Sequence, residues 1–148
     1  MAVESTGVVA RELLIDARPE TVFEFLTDPA LILRWMGTDA ELEPRAGGIY
    51  RVAVNPRSIV RGEFVEVVPH SRVVFTWGFE EADATVGPGA STVEVTLEPD
   101  GGGTLLRLVH RDLPEPSRPQ HDIGWEHFLD RLLLAAAGDD PGPDPWAA

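Results

Sequence analysis

The chain has 148 residues, of which 43% are hydrophobic, and this length and composition suit one domain with a sizeable core. Its formal net charge of −13 argues against nucleic acid or an anionic membrane as the main partner, because both bind basic surfaces. The sequence has no cysteine, no apolar run approaching the roughly 20 residues of a membrane span and no evident secretory signal, so we expect a cytoplasmic protein without disulfides.

The first predicted elements are a strand over residues 8–16 and two short helices. Pro19 suits the first turn of a helix, and the apolar residues within 22–26 share one face at the spacing i, i+3, i+4. The segment Thr-Asp-Pro at 27–29 can end this helix and cap a second one. We expect the second helix to reach Trp35 and to end before Gly37, because glycine commonly follows the last residue of a helix.

From residue 38 onward the hydrophobic period changes to two, which predicts strands joined by tight turns in an antiparallel meander. Glu63 and Glu66 fall on opposite faces of one strand, so a bulge is expected between them. The break at 80–89 is acidic and then rich in Gly and Pro, and it predicts a mobile loop. The candidate strands cover residues 38–43, 48–54, 58–68, 71–79, 90–98 and 103–111.

A long amphipathic helix is predicted to follow the strands. Ser117 and Gln120 fit a capping box, and Gly138 suits the end of the helix. The apolar face follows the spacing i, i+3, i+4, i+7 and is formed by Trp125, Phe128, Leu129 and Leu132. We therefore expect one domain over residues 1–138.

The remaining segment, 139–148, is acidic and rich in Pro and Gly, so a disordered tail is expected. Trp146 is unusual in such a segment. It either docks on the domain or has no structural role, and the second alternative is favoured at this point.

These elements predict an α+β fold. A curved antiparallel seven-stranded sheet would wrap around the long C-terminal helix, with two short helices after the first strand. Only the last helix is long enough to cover the apolar face of such a sheet.

Three stretches resemble one known family. They are IDARPETVFEFLTDPALILRW, then GGIYRVAV leading to RGEFVEVVPHSRVVFTWGF, and finally the closing helix with its Trp125-x-x-Phe128-Leu129 motif. Over residues 8–137 the chain resembles the heat-shock ATPase activator homologue (AHSA-type) group of the SRPBCC superfamily, which includes START and birch-pollen-allergen proteins. The second helix ends in RWMG, whereas the group commonly has two large aromatics there.

The resemblance implies the helix-grip fold, with an internal cavity between the sheet and the long helix. Members of the superfamily carry lipids, bind hydrophobic metabolites, cyclise polyketides or assist a chaperone. One fold hosts many functions, so the site residues must decide among these activities.

Period-two spacing places one set of side chains on the inner face of the sheet. The residue types alone favour an ordinary packed core, whereas the resemblance favours the wall of a pocket. The set comprises Tyr50, Val52, Val54, Phe75, Trp77, Phe79, Val93, Val95, Leu97, Leu106, Leu108 and His110.

Polar groups on this face are the best candidates for chemistry. His110 ends an inner strand run, and His121 lies one turn before Trp125. Either histidine, aided by Tyr50 or Asp112, could act as a general acid or base, although the residue pattern alone favours a surface or structural role for each. The predicted ligand-binding set is Trp35, Tyr50, Phe64, Phe75, Trp77, Phe79, Val95, Leu108, His110, His121, Trp125 and Phe128.

We interpret the chain as a non-covalent binder of a small hydrophobic or aromatic molecule in an internal cavity, and this interpretation favours a binding protein over an enzyme. The alternatives are a cyclase- or dehydratase-like enzyme that uses the same cavity, and a chaperone-ATPase activator, which the negative charge disfavours. The acidic stretch Glu-Glu-Ala-Asp at 80–83 could form a lid over the cavity, and a free sheet edge could support a homodimer.

No metal or cofactor is expected. His121 and His127 are six residues apart, about 240° around a helix, so they cannot share one ion.

Overall fold

A seven-stranded antiparallel sheet and one long helix make up most of the chain in a computed structural model that describes residues 7–81 and 84–147. The strands are β1 (Gly7–Ile15), β2 (Asp39–Leu42), β3 (Ile49–Asn55), β4 (Ser58–Val68), β5 (Arg72–Trp77), β6 (Ser91–Asp100) and β7 (Gly103–Leu113). The helices are α1 (Pro19–Thr27), α2 (Pro29–Ile32) and α3 (Arg118–Ala136), with single 3₁₀ turns at Glu115–Ser117 and Pro145–Ala147.

The strands lie in the order β1-β7-β6-β5-β4-β3-β2, and every neighbouring pair is antiparallel. Strands β2 to β7 form the predicted meander, while β1 crosses over to pair with β7. Helix α3 packs beside β1, where the Arg11 guanidinium lies 2.7 Å from the Asp122 carboxylate. The predicted α+β helix-grip architecture is confirmed.

The bulge predicted in β4 is present. The pairing with β5 shifts between Phe64, which lies opposite Phe75, and Glu66, which lies opposite Val74. The extra residue changes the alternation of the strand, so Glu63 and Glu66 are both exposed while Phe64 stays buried.

Asp28 separates the two short helices as predicted. Its carboxylate accepts hydrogen bonds from the backbone N–H groups of Ala30 (2.8 Å) and Leu31 (3.3 Å), which satisfies donors at the start of α2. Helix α2 ends at Ile32, earlier than the predicted Trp35, and turns connect it to Gly37. Gly37 has φ +89°, and a Cβ there would lie 2.7 Å from the Ala53 carbonyl oxygen.

Helix α3 has the predicted length but not the predicted cap. Ser117 makes no side-chain capping bond, because it belongs to the preceding 3₁₀ turn and has helical torsion angles (φ −89°, ψ −12°). Gly138, with φ +94°, lies just past the end of the helix as expected. None of the helices in the described residues is long and apolar enough to cross a membrane.

The inner face of the sheet forms the core. Most of the predicted inner residues are less than 9% exposed, and only Val54, near the end of β3, and Phe79, two residues beyond the end of β5, are partly exposed. The Tyr50 ring stacks on the Phe75 ring, with centroids 3.9 Å apart and planes 11° apart. The Phe64 ring meets the Tyr50 ring edge to face at 5.5 Å, so three aromatic rings interlock under the sheet.

The segment 139–147 differs from the predicted disordered tail, because it lies against α3. Arg131 donates hydrogen bonds to the carbonyls of Pro141 and Gly142, and His127 Nε2 lies 2.8 Å from Asp144 Oδ1. The Trp146 ring stacks on the His127 ring at 3.7 Å, so this tryptophan docks on the domain. The partners are side chains on α3, and composition does not reveal contacts of this kind. We call residues 139–147 the C-terminal arm.

Candidate functional site

The middle of the interface between the sheet and α3 is closed. The space enclosed there is about 10 Å³, barely enough for one water molecule. Its lining residues are Leu26, Ile32, Trp35, Tyr50, Phe75, Val95, Leu106, Leu108, Trp125 and Leu129.

Six predicted wall residues therefore serve as packed core. Trp35, Tyr50, Phe75, Val95 and Leu108 surround the small void, and Phe64 is 1% exposed and packs against the Tyr50 and Phe75 rings. The physical reason is the interlocking of the Tyr50, Phe64 and Phe75 rings, which period-two spacing alone cannot reveal.

A larger cleft of about 210 Å³ opens between the N-terminal half of α3 and the ends of β3, β4 and β5. We call it the α3 cleft. It contains five of the predicted residues (Trp77, Phe79, His121, Trp125 and Phe128) together with Val54, Asn55, Ser58, Gln120, Gly124 and Trp146. The sheet and the long helix thus meet tightly in the middle and separate at one end.

The local structure explains why the sheet side of the cleft is aromatic. Trp77 is the last residue of β5, and Phe79 follows it in an isolated bridge to Val60. The Phe79 N–H donates to the Val86 carbonyl at 2.8 Å, which fixes the chain as it leaves the strand. The two rings meet edge to face with centroids 6.2 Å apart.

The helix side of the cleft is open because of Gly124. His121, Trp125 and Phe128 face the cleft at the spacing i, i+4, i+7. A Cβ built on Gly124 would meet no atom within 4 Å, so the missing side chain leaves free volume in the wall. A glycine in the middle of an amphipathic helix is a signal that the sequence contains, but the predicted site did not include Gly124.

His110 is fully buried and both ring nitrogens have partners. Trp125 Nε1 donates to His110 Nδ1 at 3.0 Å, so the proton resides on Nε2, which lies 2.8 Å from Ser91 Oγ. Ser91 in turn donates to the Trp77 carbonyl at 2.8 Å. Burial, and to a smaller extent the nearby His121, lower the pKa of His110 to about 3. This neutral histidine positions the two tryptophans and is not among the residues that line the cleft, although the predicted ligand-binding set includes it.

His121 has one partnered and one free nitrogen. Its Nδ1 donates to the Ser117 carbonyl at 2.8 Å, so Nε2 carries a lone pair. That Nε2 atom is buried and has no hydrogen-bond partner among the described residues. Burial lowers the pKa of His121, while the hydrogen bond to Ser117 opposes the shift. The side chain is therefore a neutral acceptor in the wall of the cleft.

The C-terminal arm closes one side of the cleft. The Trp146 ring contacts the Phe128 ring edge to face, with centroids 5.8 Å apart, and is itself 41% exposed. The Asp144 carboxylate is 7% exposed and holds the arm through His127 and Arg131. Sequence reasoning missed this wall, although an isolated tryptophan in a polar tail was a signal of it.

The acidic loop after Phe79 is anchored where the structure describes it. The Glu80 carboxylate lies 2.9 Å from Arg51, whose hydrogen bond lowers the pKa of that carboxyl. Val86 is buried, and residues 84–86 border a depression of about 260 Å³ that shares Phe79 and His121 with the cleft. Ala82 and Asp83 of the predicted lid lie outside the described residues, and the lid stays a prediction.

No group of three His, Asp or Glu side chains in residues 7–81 and 84–147 is arranged to hold a metal ion.

Residues 16–136 match the family model described as "Activator of Hsp90 ATPase homolog 1-like protein". One curated relative is "Activator of 90 kDa heat shock protein ATPase homolog 1" from Homo sapiens, which is 26% identical over 110 residues. That match covers 74% of this chain and 31% of the human protein, so the chain spans about a third of its relative's length.

Two solved structures share both fold and sequence with the chain. The solution structure of an AHSA1-like protein from Rhizobium etli is 47% identical, with a TM-score of 0.76 over 100% of this chain and 92% of the other. The crystal structure of DynU16, a protein of the dynemicin biosynthetic locus, is 25% identical, with a TM-score of 0.79 over 95% of this chain and 51% of the other. Together with the family match, these similarities confirm the AHSA-type resemblance, and the chain belongs to the Activator of Hsp90 ATPase homolog 1-like family.

Proposed function

We propose that the protein binds a small, mainly apolar or aromatic molecule in the α3 cleft. The observation that carries this proposal is an aromatic-walled opening of about 210 Å³ next to a core that is otherwise closed. Sites for drug-sized ligands typically measure about 300–1,000 Å³, so this volume suits a molecule of one or two rings.

The charge of the cleft favours a neutral ligand. None of the residues lining it carries a formal charge at neutral pH, because its polar members are Asn55, Ser58, Gln120 and neutral His121. An anionic ligand would find no guanidinium in the wall, and the net charge of −13 would repel it. Apolar contact and a few hydrogen bonds would supply the affinity.

Substitution at Gly124 tests the site. A leucine there would project into the free volume and should abolish binding of two-ring probes such as naphthalene, measured by ligand-observed NMR. Gly124→Ala is the matched control, since its single methyl group leaves most of the cleft open. Binding that survives in Gly124→Leu would place the site elsewhere, and no binding of any one- or two-ring probe to the wild type would overturn the proposal.

Acid–base catalysis in the same cleft is a second candidate, favoured by the free Nε2 of His121. This nitrogen could remove the α-proton of a bound ketone, and the Trp77 N–H could hydrogen-bond the enolate oxygen that forms. The test is deuterium exchange into 2-tetralone, followed by proton NMR. Exchange that is no faster than in buffer, or that is equally fast in His121→Ala, would exclude this role.

Activation of a chaperone ATPase is a third candidate, because the human relative carries that name. The matched stretch covers only 31% of that protein, and the charge of −13 would oppose docking on an acidic chaperone. We expect the ATPase rate of a purified 90 kDa heat-shock protein to be unchanged by adding this protein. A saturable increase would establish the third candidate.

A further inference from the structure

Unpaired polar atoms are concentrated at the α3 cleft. Three buried side-chain nitrogen or oxygen atoms in the described residues have no hydrogen-bond partner. One of them, Asp144 Oδ2, lies 3.7 Å from Arg131 in an ion pair. The other two, His121 Nε2 and Trp77 Nε1, belong to side chains that line the same cleft. Buried polar atoms are almost always paired, so two such atoms in one cleft point to a missing partner.

The two atoms have opposite hydrogen-bonding character. The bond from Nδ1 to the Ser117 carbonyl makes His121 Nε2 an acceptor, while an indole nitrogen such as Trp77 Nε1 can only donate. The two rings are neighbours in the wall of the cleft and meet edge to face, with centroids 6.4 Å apart and planes 71° apart.

Neither side chain is free to turn and find a partner within the protein. The Trp77 ring lies 5.1 Å from the Trp125 ring and 5.5 Å from the His110 ring, and its backbone carbonyl accepts from Ser91. His121 is held by its bond to Ser117. The donor and the acceptor are thus preorganised for a group supplied from outside the chain.

We propose that the ligand carries a neutral hydroxyl group on its aromatic frame. The hydroxyl donates to His121 Nε2 and accepts from Trp77 Nε1, while the frame packs against Trp125 and Phe128. This inference rests on the proposed function and specifies the ligand's chemistry.

The same arrangement disfavours charged analogues. A carboxylate can only accept, so it would face the lone pair of His121 without a proton to share. An ammonium group can only donate, so it would face the N–H group of Trp77. Only a group with both capacities, such as a hydroxyl, pairs both atoms without moving a charge into an apolar cleft.

Three matched probes test the proposal by calorimetric titration: naphthalene, 2-naphthol and 2-naphthoate. We expect 2-naphthol to bind about tenfold more tightly than naphthalene, and 2-naphthoate more weakly than both. Equal affinities for naphthalene and 2-naphthol, or tightest binding of 2-naphthoate, would overturn the hydroxyl inference while the proposed apolar site stands. Failure of all three to bind would overturn the proposed function itself.

Two variants assign the effect to the named atoms. Trp77→Phe removes the donor and His121→Phe removes the acceptor, and each keeps an aromatic ring. Each variant should reduce the preference for 2-naphthol over naphthalene, measured as the ratio of the two affinities in the same variant, to about threefold or less. A preference that remains tenfold in both variants would contradict the assignment.

An NMR measurement on the wild type serves where a variant does not fold. The indole N–H resonance of Trp77 should shift downfield with 2-naphthol but not with naphthalene. The indole N–H of Trp35, which already donates to the Phe25 carbonyl at 2.9 Å, is the internal control and should not move. Unchanged Trp77 resonance at saturating 2-naphthol would overturn the proposed contact.

Discussion

The middle of α3 and its N-terminal half face the same sheet and present similar residue types, yet they meet it differently. In the middle, rings from β3, β4 and β5 interlock and leave about 10 Å³. At the N-terminal half, Trp77, Phe79 and Trp125 surround about 210 Å³. Aromatic composition therefore does not distinguish core from cleft. What distinguishes them is a glycine in the helix wall and the presence of polar atoms without partners.

Truncation of a ring should produce the largest contrast between the two regions. Phe75→Ala empties a closed site and should lower the free energy of unfolding by about 3–5 kcal/mol, because the surrounding core cannot collapse fully into the hole. Phe79→Ala removes a ring that is already partly exposed and should cost less than half as much. Chemical denaturation of both variants measures the difference, and equal losses would contradict the division into core and cleft.

Acid should weaken the folded state through His110. Its pKa lies near 6.5 in the unfolded chain and at about 3 in the folded one, so the unfolded state binds the proton first. The stabilising effect of neutral His110 is complete above pH 6.5 and is lost progressively as the pH falls toward 3, by about 1.4 kcal/mol per pH unit.

Glu80 and Glu94 also have lowered pKa values, through hydrogen bonds from Arg51 and Arg72, and they lose stabilisation in acid too. The comparison with His110→Gln separates these effects. We measure the free energy of unfolding of the wild type and of His110→Gln by chemical denaturation between pH 6 and 4. The plot of this free energy against pH should be shallower for the variant. Identical slopes would mean that His110 is not buried in its neutral form.

Removal of polar groups should distinguish the paired network from the unpaired one. Ser91→Ala leaves the His110 N–H and the Trp77 carbonyl without their partner, and should cost about 1–3 kcal/mol of unfolding free energy. His121→Leu loses one bond to a backbone carbonyl but also removes an unpaired buried atom. These effects oppose each other, so the free energy of unfolding of His121→Leu, measured by thermal denaturation, should differ from that of the wild type by no more than about 1 kcal/mol. A larger loss of unfolding free energy in His121→Leu than in Ser91→Ala would contradict the assignment of Ser91 to the paired network and of His121 to the unpaired one.

The smallest expected effect lies at the open wall. Gly124→Ala should raise the free energy of unfolding by up to about 1 kcal/mol, since alanine restricts the unfolded chain and its methyl group meets no atom within 4 Å. Thermal denaturation would detect this as a higher midpoint. A lower midpoint would show that Gly124 is closely packed and that the cleft is smaller than described.

The elements of the fold were predictable from the sequence because they depend on local patterns. Period-two spacing located the strands, the parity conflict between Glu63 and Glu66 located the bulge, and Gly138 located the end of α3. The prediction of a cap at Ser117 was wrong because a 3₁₀ turn precedes the helix and changes the torsion angles of that residue.

The candidate site was predictable only in part, because it depends on contacts between distant residues. Spacing placed both His110 and His121 toward the interior, but it could not show that Ser91 and Trp125 would occupy both nitrogens of His110. Nor could composition show that Arg131 and His127 hold the C-terminal arm. Free volume is harder still to predict, since it depends on whether neighbouring rings interlock.

The docking of Trp146 gives the protein a built-in optical reporter. Trp35, Trp77 and Trp125 are at most 5% exposed, whereas Trp146 is 41% exposed at the mouth of the α3 cleft. Acrylamide should therefore quench mainly the red-edge emission that comes from this one indole. A molecule entering the cleft would shield that indole from the quencher, so occupancy can be followed by fluorescence without any label.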